Sequence, residues 1–85
     1  MATLKKLADQ VLSGRSDGNL RFADLRRLVL ALGFNERIAK GSHHIYWRDG
    51  VQEIINLQPM AGGKAKAYQV KQVRQPYTKY GLSAE

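Results

Sequence analysis

The 85-residue sequence contains no cysteine, only two prolines and no long run of apolar residues. Without cysteine it has neither disulfides nor thiolate zinc ligands, so hydrophobic burial must stabilise the core, and the composition suits a reducing compartment. No stretch approaches the roughly 18 apolar residues of a membrane-spanning helix, and the first residues lack the apolar run of a signal peptide. We therefore expect a cytoplasmic protein with no membrane partner, folded as one small domain.

Acidic residues are scarce relative to basic ones. Seven Asp and Glu oppose fourteen Lys and Arg, which gives a formal charge of +7 and a pI near 10.1. Residues 61–80 carry five of the basic side chains and no acidic one. Such an excess attracts polyanions, and nucleic acid is the first to consider. A short run of charge is also typical of a solvated face that binds nothing.

The first part of the chain predicts two helices. Thr3 is a suitable N-cap and Gly14 a suitable C-terminal stop for a short first helix. Apolar residues then recur at the spacing of one helical face until Gly33 ends the run. We predict a second helix over roughly residues 21–32, with its apolar face in the core and its charged face in solvent.

The middle of the chain predicts three strands. Residues 34–40 alternate weakly and have the length of a strand, and residues 45–47 are β-branched and aromatic. The pair Asp49-Gly50 suits a two-residue type I′ turn that returns the chain into a strand over 51–57. The pattern therefore predicts an antiparallel meander.

The last part of the chain predicts a third helix that contains a proline. Residues 58–63 form a loop because they hold the other proline and a pair of glycines. Tyr77 and Tyr80 extend the apolar stripe of the helix and are expected in the core. Pro76 lies inside that stripe and an interior proline costs about 3 kcal/mol, so we expect a kink or an end near Gln75. The order of elements predicts an α+β domain with helices on one face of the sheet.

Residues 40–50, which read KGSHHIYWRDG, hold both histidines and the single tryptophan. Neighbours on a strand point to opposite faces, so His43 and His44 cannot both flank one phosphate without a bulge. For the same reason at least one of Tyr46 and Trp47 packs in or beside the core instead of stacking on bases. A lone strand histidine is more often structural than catalytic, and two histidines without cysteine give no recognisable metal-ligand spacing.

Residues 19–81 resemble the HicA family of toxin–antitoxin ribonucleases. The matching segments are residues 20–25 (LRFADL), 32–34 (LGF), 40–46 (KGSHHIY), 54–58 (IINLQ), 63–66 (GKAK) and 68–74 (YQVKQVR). The resemblance implies an α-β-β-β-α fold like that of the double-stranded RNA-binding domain. Within the single domain 1–85, it divides the chain into an added N-terminal helix and turn (1–18), the core fold (19–81) and a tail (82–85).

The resemblance also implies a function, namely metal-independent cleavage of mRNA without a cofactor, inhibited by a HicB-type antitoxin protein. The catalytic histidine of the family follows its Gly-Gly or Gly-Ser step and falls on His43, with His44 as the second choice because some members carry it one place later. The expected RNA-binding residues are Lys40, Ser42, Tyr46, Arg48, Lys64, Lys66 and Lys71.

The chemistry of these residues is compatible with the implied activity. A histidine can act as acid or base near neutral pH, and lysines such as Lys40, Lys64 and Lys66 could stabilise the anionic phosphate while a 2′-hydroxyl attacks it. DNA lacks that hydroxyl and would be spared. Two alternatives share the same core and stay open: a non-catalytic RNA-binding module, and a degenerate toxin that only binds its antitoxin.

Overall fold

A computed structural model of the chain describes residues 3–84. It is an α+β structure with three helices and an open three-stranded antiparallel sheet, as predicted. The elements in order are helix α1 (Leu4–Ser13), a 3₁₀ turn (Asp17–Asn19), helix α2 (Phe22–Ala31), strands β1 (Asn35–Ala39), β2 (His43–Arg48) and β3 (Val51–Leu57), and helix α3 (Ala67–Lys79). Within the described range no helix is long and apolar enough to cross a membrane.

The predicted ends of the first two helices are confirmed. The Thr3 hydroxyl accepts a hydrogen bond from the Lys6 backbone N–H at 3.2 Å, which caps the start of α1. Gly14 follows α1 in the left-handed conformation with φ of 73°, and Gly33 follows α2 with φ of 91°. Glycine adopts these angles without the steric cost that a Cβ would bring, so both helices end where the sequence predicts.

The sheet has the order β1-β2-β3, as a meander requires. Arg48 and Val51 pair across the turn between β2 and β3, and the register shifts between Tyr46 and Arg48. Gly50 has a positive φ of 86°. Asp49 does not, because only glycines have a positive φ in the described part of the chain. A type I′ turn needs a positive φ at both central residues, so the predicted turn type is wrong although the hairpin is right.

The helices cover one face of the sheet, which we call the inner face. Tyr46, Ile55 and Leu57 point from it into a core shared with the helices. Helix residues in this core include Leu7, Val11, Leu25, Leu28, Val29, Val70 and Val73. On the opposite, outer face Trp47 is 40% exposed and Ile54 is 68% exposed. The alternation along β2 therefore separates a packing face from an open one.

Helix α3 continues through Pro76 to Lys79. Of the two predicted outcomes, a kink or an end near Gln75, the end is therefore wrong. Proline has no N–H to give to the Gln72 carbonyl, which weakens the helix at this point. Pro76 is fully buried and Tyr77 is 7% exposed, so packing against the core compensates for the missing bond. Tyr77 is a core residue as expected, whereas Tyr80 is half-buried.

Candidate nucleic-acid interface

The two histidines lie on opposite faces of the sheet. His43 begins β2 and is exposed, whereas the His44 side chain is only 14% exposed and points to the inner face. The His44 ring lies 4.9 Å from that of Phe22, centroid to centroid, and 6.4 Å from that of Tyr46. These contacts give His44 a packing role, and they leave His43 as the imidazole that a ligand can reach.

His43 opens onto a polar cleft of about 240 Å³. This cleft lies where β2 begins, β3 ends and α3 starts, and its other lining residues are Asn56, Gln58, Tyr68, Gln69 and Gln72. Amide, phenol and imidazole groups can donate hydrogen bonds to phosphate or base oxygens. The lining contains no carboxylate that would repel a phosphate. The cleft thus combines one imidazole with several amide and phenol groups that form hydrogen bonds.

A buried amide in the cleft lining connects α3 to the end of β3. Gln69 is 5% exposed, and its Oε1 accepts a hydrogen bond from the Gln58 backbone N–H at 3.1 Å. This bond ties the first turn of α3 to the segment that leaves β3. Gln69 was not predicted, because a glutamine inside a polar stretch of a helix gives no signal of burial.

Four of the predicted RNA-binding residues lie on the elements that form the cleft or within three residues of them. Lys40 is exposed in the turn before β2, and Ser42 is half-buried immediately before His43. Lys66 is the N-cap residue of α3, and Lys71 is exposed on that helix, one position before the cleft residue Gln72.

Lys64 lies close to the start of α3 but pairs with another element. It forms an isolated antiparallel bridge with Arg21, directly before α2. The neighbouring Gly63 carbonyl accepts from the Phe22 N–H at 2.9 Å, and the Ala65 N–H donates to the Leu20 carbonyl at 2.8 Å. These bonds fix the basic segment before α3 against the start of α2, so its backbone has a defined position.

Two predicted RNA-binding residues do not belong to the cleft. Tyr46 has an exposed fraction of 0% and cannot stack on a base. Arg48 lies at the other end of β2, about 16 Å from His43 at 3.3 Å per residue. Its Nη1 donates to the Leu32 carbonyl at 2.7 Å and so satisfies the C-terminal end of α2. Trp47 is instead the aromatic side chain of β2 that the outer face exposes.

A charged network beneath β2 was not predicted. Glu36 Oε2 accepts from Arg26 Nε at 2.6 Å and from the Tyr46 hydroxyl at 2.6 Å, and Oε1 accepts from Arg26 Nη2 at 2.8 Å. His44 Nδ1 lies 3.4 Å from Glu36 Oε2. Arg26, expected on a purely solvated face, therefore forms a bidentate ion pair. Only the strand register brings Glu36 opposite Tyr46, and the sequence does not specify it.

The network shifts the pKa of its members. The hydrogen bonds from Arg26 lower the pKa of Glu36 to about 2, with help from Tyr46 and His44 and against the effect of burial. Burial, followed by the hydrogen bond to Glu36, raises the pKa of the Tyr46 phenol. Glu36 is thus a fixed negative charge at neutral pH, and it lies on the side of the sheet opposite His43.

The outer face carries an apolar depression on the same strand as His43. Arg37, Ile45, Trp47 and Ile54 line about 360 Å³ of space there. Because β2 alternates, its residues 43, 45 and 47 share this face. A partner large enough to cover the depression would also reach His43. The depression is open to solvent and mostly apolar, which suits a macromolecular surface better than an enclosed small ligand.

Within residues 3–84 no three or more His, Asp or Glu side chains lie close enough together to hold a metal ion.

Comparisons with protein-family models, with curated proteins and with solved structures find no match to this chain.

Proposed function

We propose that this chain is the toxin of a HicA-type toxin–antitoxin system, a metal-independent endoribonuclease that cleaves mRNA with His43. The observation that carries the proposal is the different environment of the two histidines. His44 packs beside Glu36 on the inner face, whereas His43 is exposed in a polar cleft. The order α2-β1-β2-β3-α3, with helices on one face, supports a fold like that of the double-stranded RNA-binding domain. Helix α1 is then an N-terminal addition.

The proposed reaction needs one base and a stabilised phosphate. His43 takes the proton of a ribose 2′-hydroxyl, and the O2′ atom forms a bond to the adjacent phosphorus. The bond from phosphorus to the 5′-oxygen breaks, and that oxygen leaves with a proton from water or from the protonated His43. The products are a 2′,3′-cyclic phosphate and a 5′-hydroxyl, so atoms and charge balance without a metal or an oxidant.

Lysines beside the cleft supply the counter-charge. Lys40 and Lys66 lie on the two segments that flank His43, in the turn before β2 and at the start of α3. A positive charge near the phosphate stabilises the extra negative charge of the transition state. Lys64 and Lys71 extend the basic surface along the same segments and would guide the RNA strand by its phosphates.

The proposed protein partner is an acidic antitoxin of the HicB type that covers the outer face. This face presents His43 beside the apolar depression of Ile45, Trp47 and Ile54, with Arg37 at its border. A partner placed there would bury apolar surface and block RNA from His43 in one step. The net charge of +7 would accelerate its association at low salt.

Cleavage of RNA by purified protein variants tests the proposal. His43→Ala should lower the cleavage rate by roughly 10²–10⁴ with an unchanged thermal unfolding temperature, because the residue is exposed and supplies acid–base assistance. His44→Ala is the matched control on the same strand. It should lower the unfolding temperature through lost packing but retain cleavage in the folded fraction.

Three other results would change the assignment. Full cleavage by folded His43→Ala with loss in His44→Ala would move the base to His44. Full cleavage by both variants would eliminate histidine catalysis. RNA binding by the wild type without any cleavage would identify a non-catalytic RNA-binding module, the alternative that shares this fold and this basic surface.

A further inference from the structure

Gln69 is the one amide side chain among the buried residues of the described chain, at 5% exposed. A buried amide is stable only when its polar atoms find partners, because an unpaired one costs roughly 1–3 kcal/mol. Its Oε1 accepts the Gln58 backbone N–H at 3.1 Å. Only an oxygen can accept that proton, so this bond fixes which way the amide plane is turned.

The other side of the amide is available to a ligand. Among residues 3–84 no group accepts a hydrogen bond from Gln69 Nε2, and no buried side-chain nitrogen or oxygen in that range lacks a partner. Nε2 therefore reaches solvent, and it does so at the cleft that Gln69 lines together with His43. The protein thus holds two N–H donors toward the same cleft as its exposed imidazole.

The local electrostatics favour an anion at this point. Gln69 lies in the first turn of α3, a 13-residue helix whose N-cap Lys66 makes no side-chain capping bond. The unpaired N–H groups of a first helical turn carry a partial positive charge. With no acidic residue in the cleft lining, the amide, the helix end and Lys66 all favour negative charge there.

We infer that Gln69 is a second catalytic residue, whose Nε2–H donates to a non-bridging oxygen of the phosphodiester that His43 acts on. The inference rests on the proposed nuclease function and names the group that stabilises its transition state. Negative charge grows on that oxygen as O2′ attacks phosphorus, so the hydrogen bond strengthens during the reaction. Because Gln58 already holds the amide in place, no reorganisation is needed at that moment.

Gln69→Glu is the most selective substitution. Glutamate has the same shape and keeps an oxygen to accept from Gln58, but it has no N–H to donate. We expect kcat to fall by roughly 10²–10³, as when an oxyanion donor is removed, with a smaller change in KM. Gln72→Glu is the charge control, because it adds the same charge to the same cleft from the next turn of α3. Its effect measures the added charge together with the loss of an amide that Gln58 does not hold in place.

RNA substrates with sulfur in place of one non-bridging phosphate oxygen supply a second test. Its first part uses the wild type alone, so it does not depend on the folding of a variant. The wild type should cleave one of the two phosphorothioate diastereomers more slowly than the other, because sulfur accepts hydrogen bonds poorly. In Gln69→Glu this difference should disappear, whereas Gln72→Glu should retain it. A merely structural role for Gln69 would leave the difference unchanged.

The outcomes separate this inference from the proposed function. If the wild type cleaves RNA, His43→Ala does not, and Gln69→Glu matches Gln72→Glu in kcat, the nuclease assignment stands and the role of Gln69 is overturned. Equal cleavage of both diastereomers by the wild type overturns it as well. Absence of cleavage by the folded wild type overturns the nuclease assignment itself, and the role of Gln69 with it.

Discussion

The Tyr46 hydroxyl donates to Glu36 Oε2 at 2.6 Å across the β1–β2 ladder, where the two residues are register partners. The same carboxylate also accepts hydrogen bonds from Nε and Nη2 of Arg26, a residue of helix α2. One side chain of the edge strand β1 therefore binds β2 and α2 at once. Through this contact the inner face fixes the strand that exposes His43 on the other side.

Replacing Glu36 with Gln should destabilise the protein by about 1–3 kcal/mol at neutral pH, since Arg26 loses its ionic partner and the position is mostly buried. The pKa of Glu36 is lowered from 4.5 to about 2, so its ionised form stabilises the folded state above pH 4.5 and that contribution is lost as the pH falls toward 2. Denaturant unfolding from pH 7 to pH 3 measures this, and the variant should lose less stability than the wild type over that range.

Glu53→Gln is the control for this prediction. Glu53 pairs with Lys79 and Tyr80 at the surface, where solvent screening keeps such interactions weak. Equal losses from the two substitutions at neutral pH would show that the Glu36 network contributes no more than a surface pair.

Arg74 should be the residue of α3 on which the position of α1 depends. Its Nη1 donates to the Val11 carbonyl at 2.9 Å and to Asp17 Oδ1 at 3.0 Å, and Nη2 donates to Asp17 Oδ2 at 3.0 Å. We expect Arg74→Met to destabilise the protein by about 1–3 kcal/mol, and Lys79→Met, which breaks an exposed and solvent-screened pair, to destabilise it less. A double-mutant cycle with Asp17→Asn should give a coupling above about 0.5 kcal/mol, and additivity would contradict it.

Removing charge beside the cleft should weaken RNA binding and its salt dependence. Each phosphate neutralised on a single strand contributes about −0.7 to the slope of log affinity against log salt. Lys64→Gln with Lys66→Gln should flatten that slope. The matched control removes Lys5 and Lys6, which are exposed on α1. Equal slopes for the two double variants, measured by titration of an RNA oligonucleotide, would place the RNA path elsewhere.

An acidic antitoxin should protect the outer face from hydrogen exchange. We expect slower exchange over residues 40–57 in the complex, because this range contains His43 and the apolar depression around Trp47. Helix α1 lies apart from that face and should exchange at its free rate. Protection confined to residues 3–14 would mean that inhibition acts from a remote surface.

Local signals in the sequence were sufficient to predict most of the fold. Thr3, Gly14 and Gly33 mark helix ends through capping and backbone conformation, which depend on near neighbours alone. The hairpin at Gly50 was predicted for the same reason, although its turn type was not. The predicted end of α3 at Pro76 was wrong because the missing hydrogen bond is a local effect, whereas the burial that offsets it comes from the rest of the core.

The candidate site was harder to predict because it depends on which face of β2 is covered. Alternation shows that His43 and His44 differ in direction, but it cannot show which one meets the helices. That choice follows from the packing of Tyr46 with Ile55 and Leu57, and it removes Tyr46 from the RNA-binding set. The ion pair of Arg26 and the contact of Gln69 join segments that are at least ten residues apart, beyond the reach of periodicity.

The contribution of α3 to the cleft has a consequence for biosynthesis. His43, Asn56 and Gln58 are made before Tyr68, Gln69 and Gln72, so a nascent chain cannot form the cleft until residues 67–79 have been translated. At roughly 5–20 residues per second, the hairpin precedes the helix by a few seconds at most. The bonds from Arg74 back to Val11 and Asp17 span 63 and 57 residues and also await this helix. A chain that lacked residues 67–79 would therefore contain His43 but could not form the cleft around it.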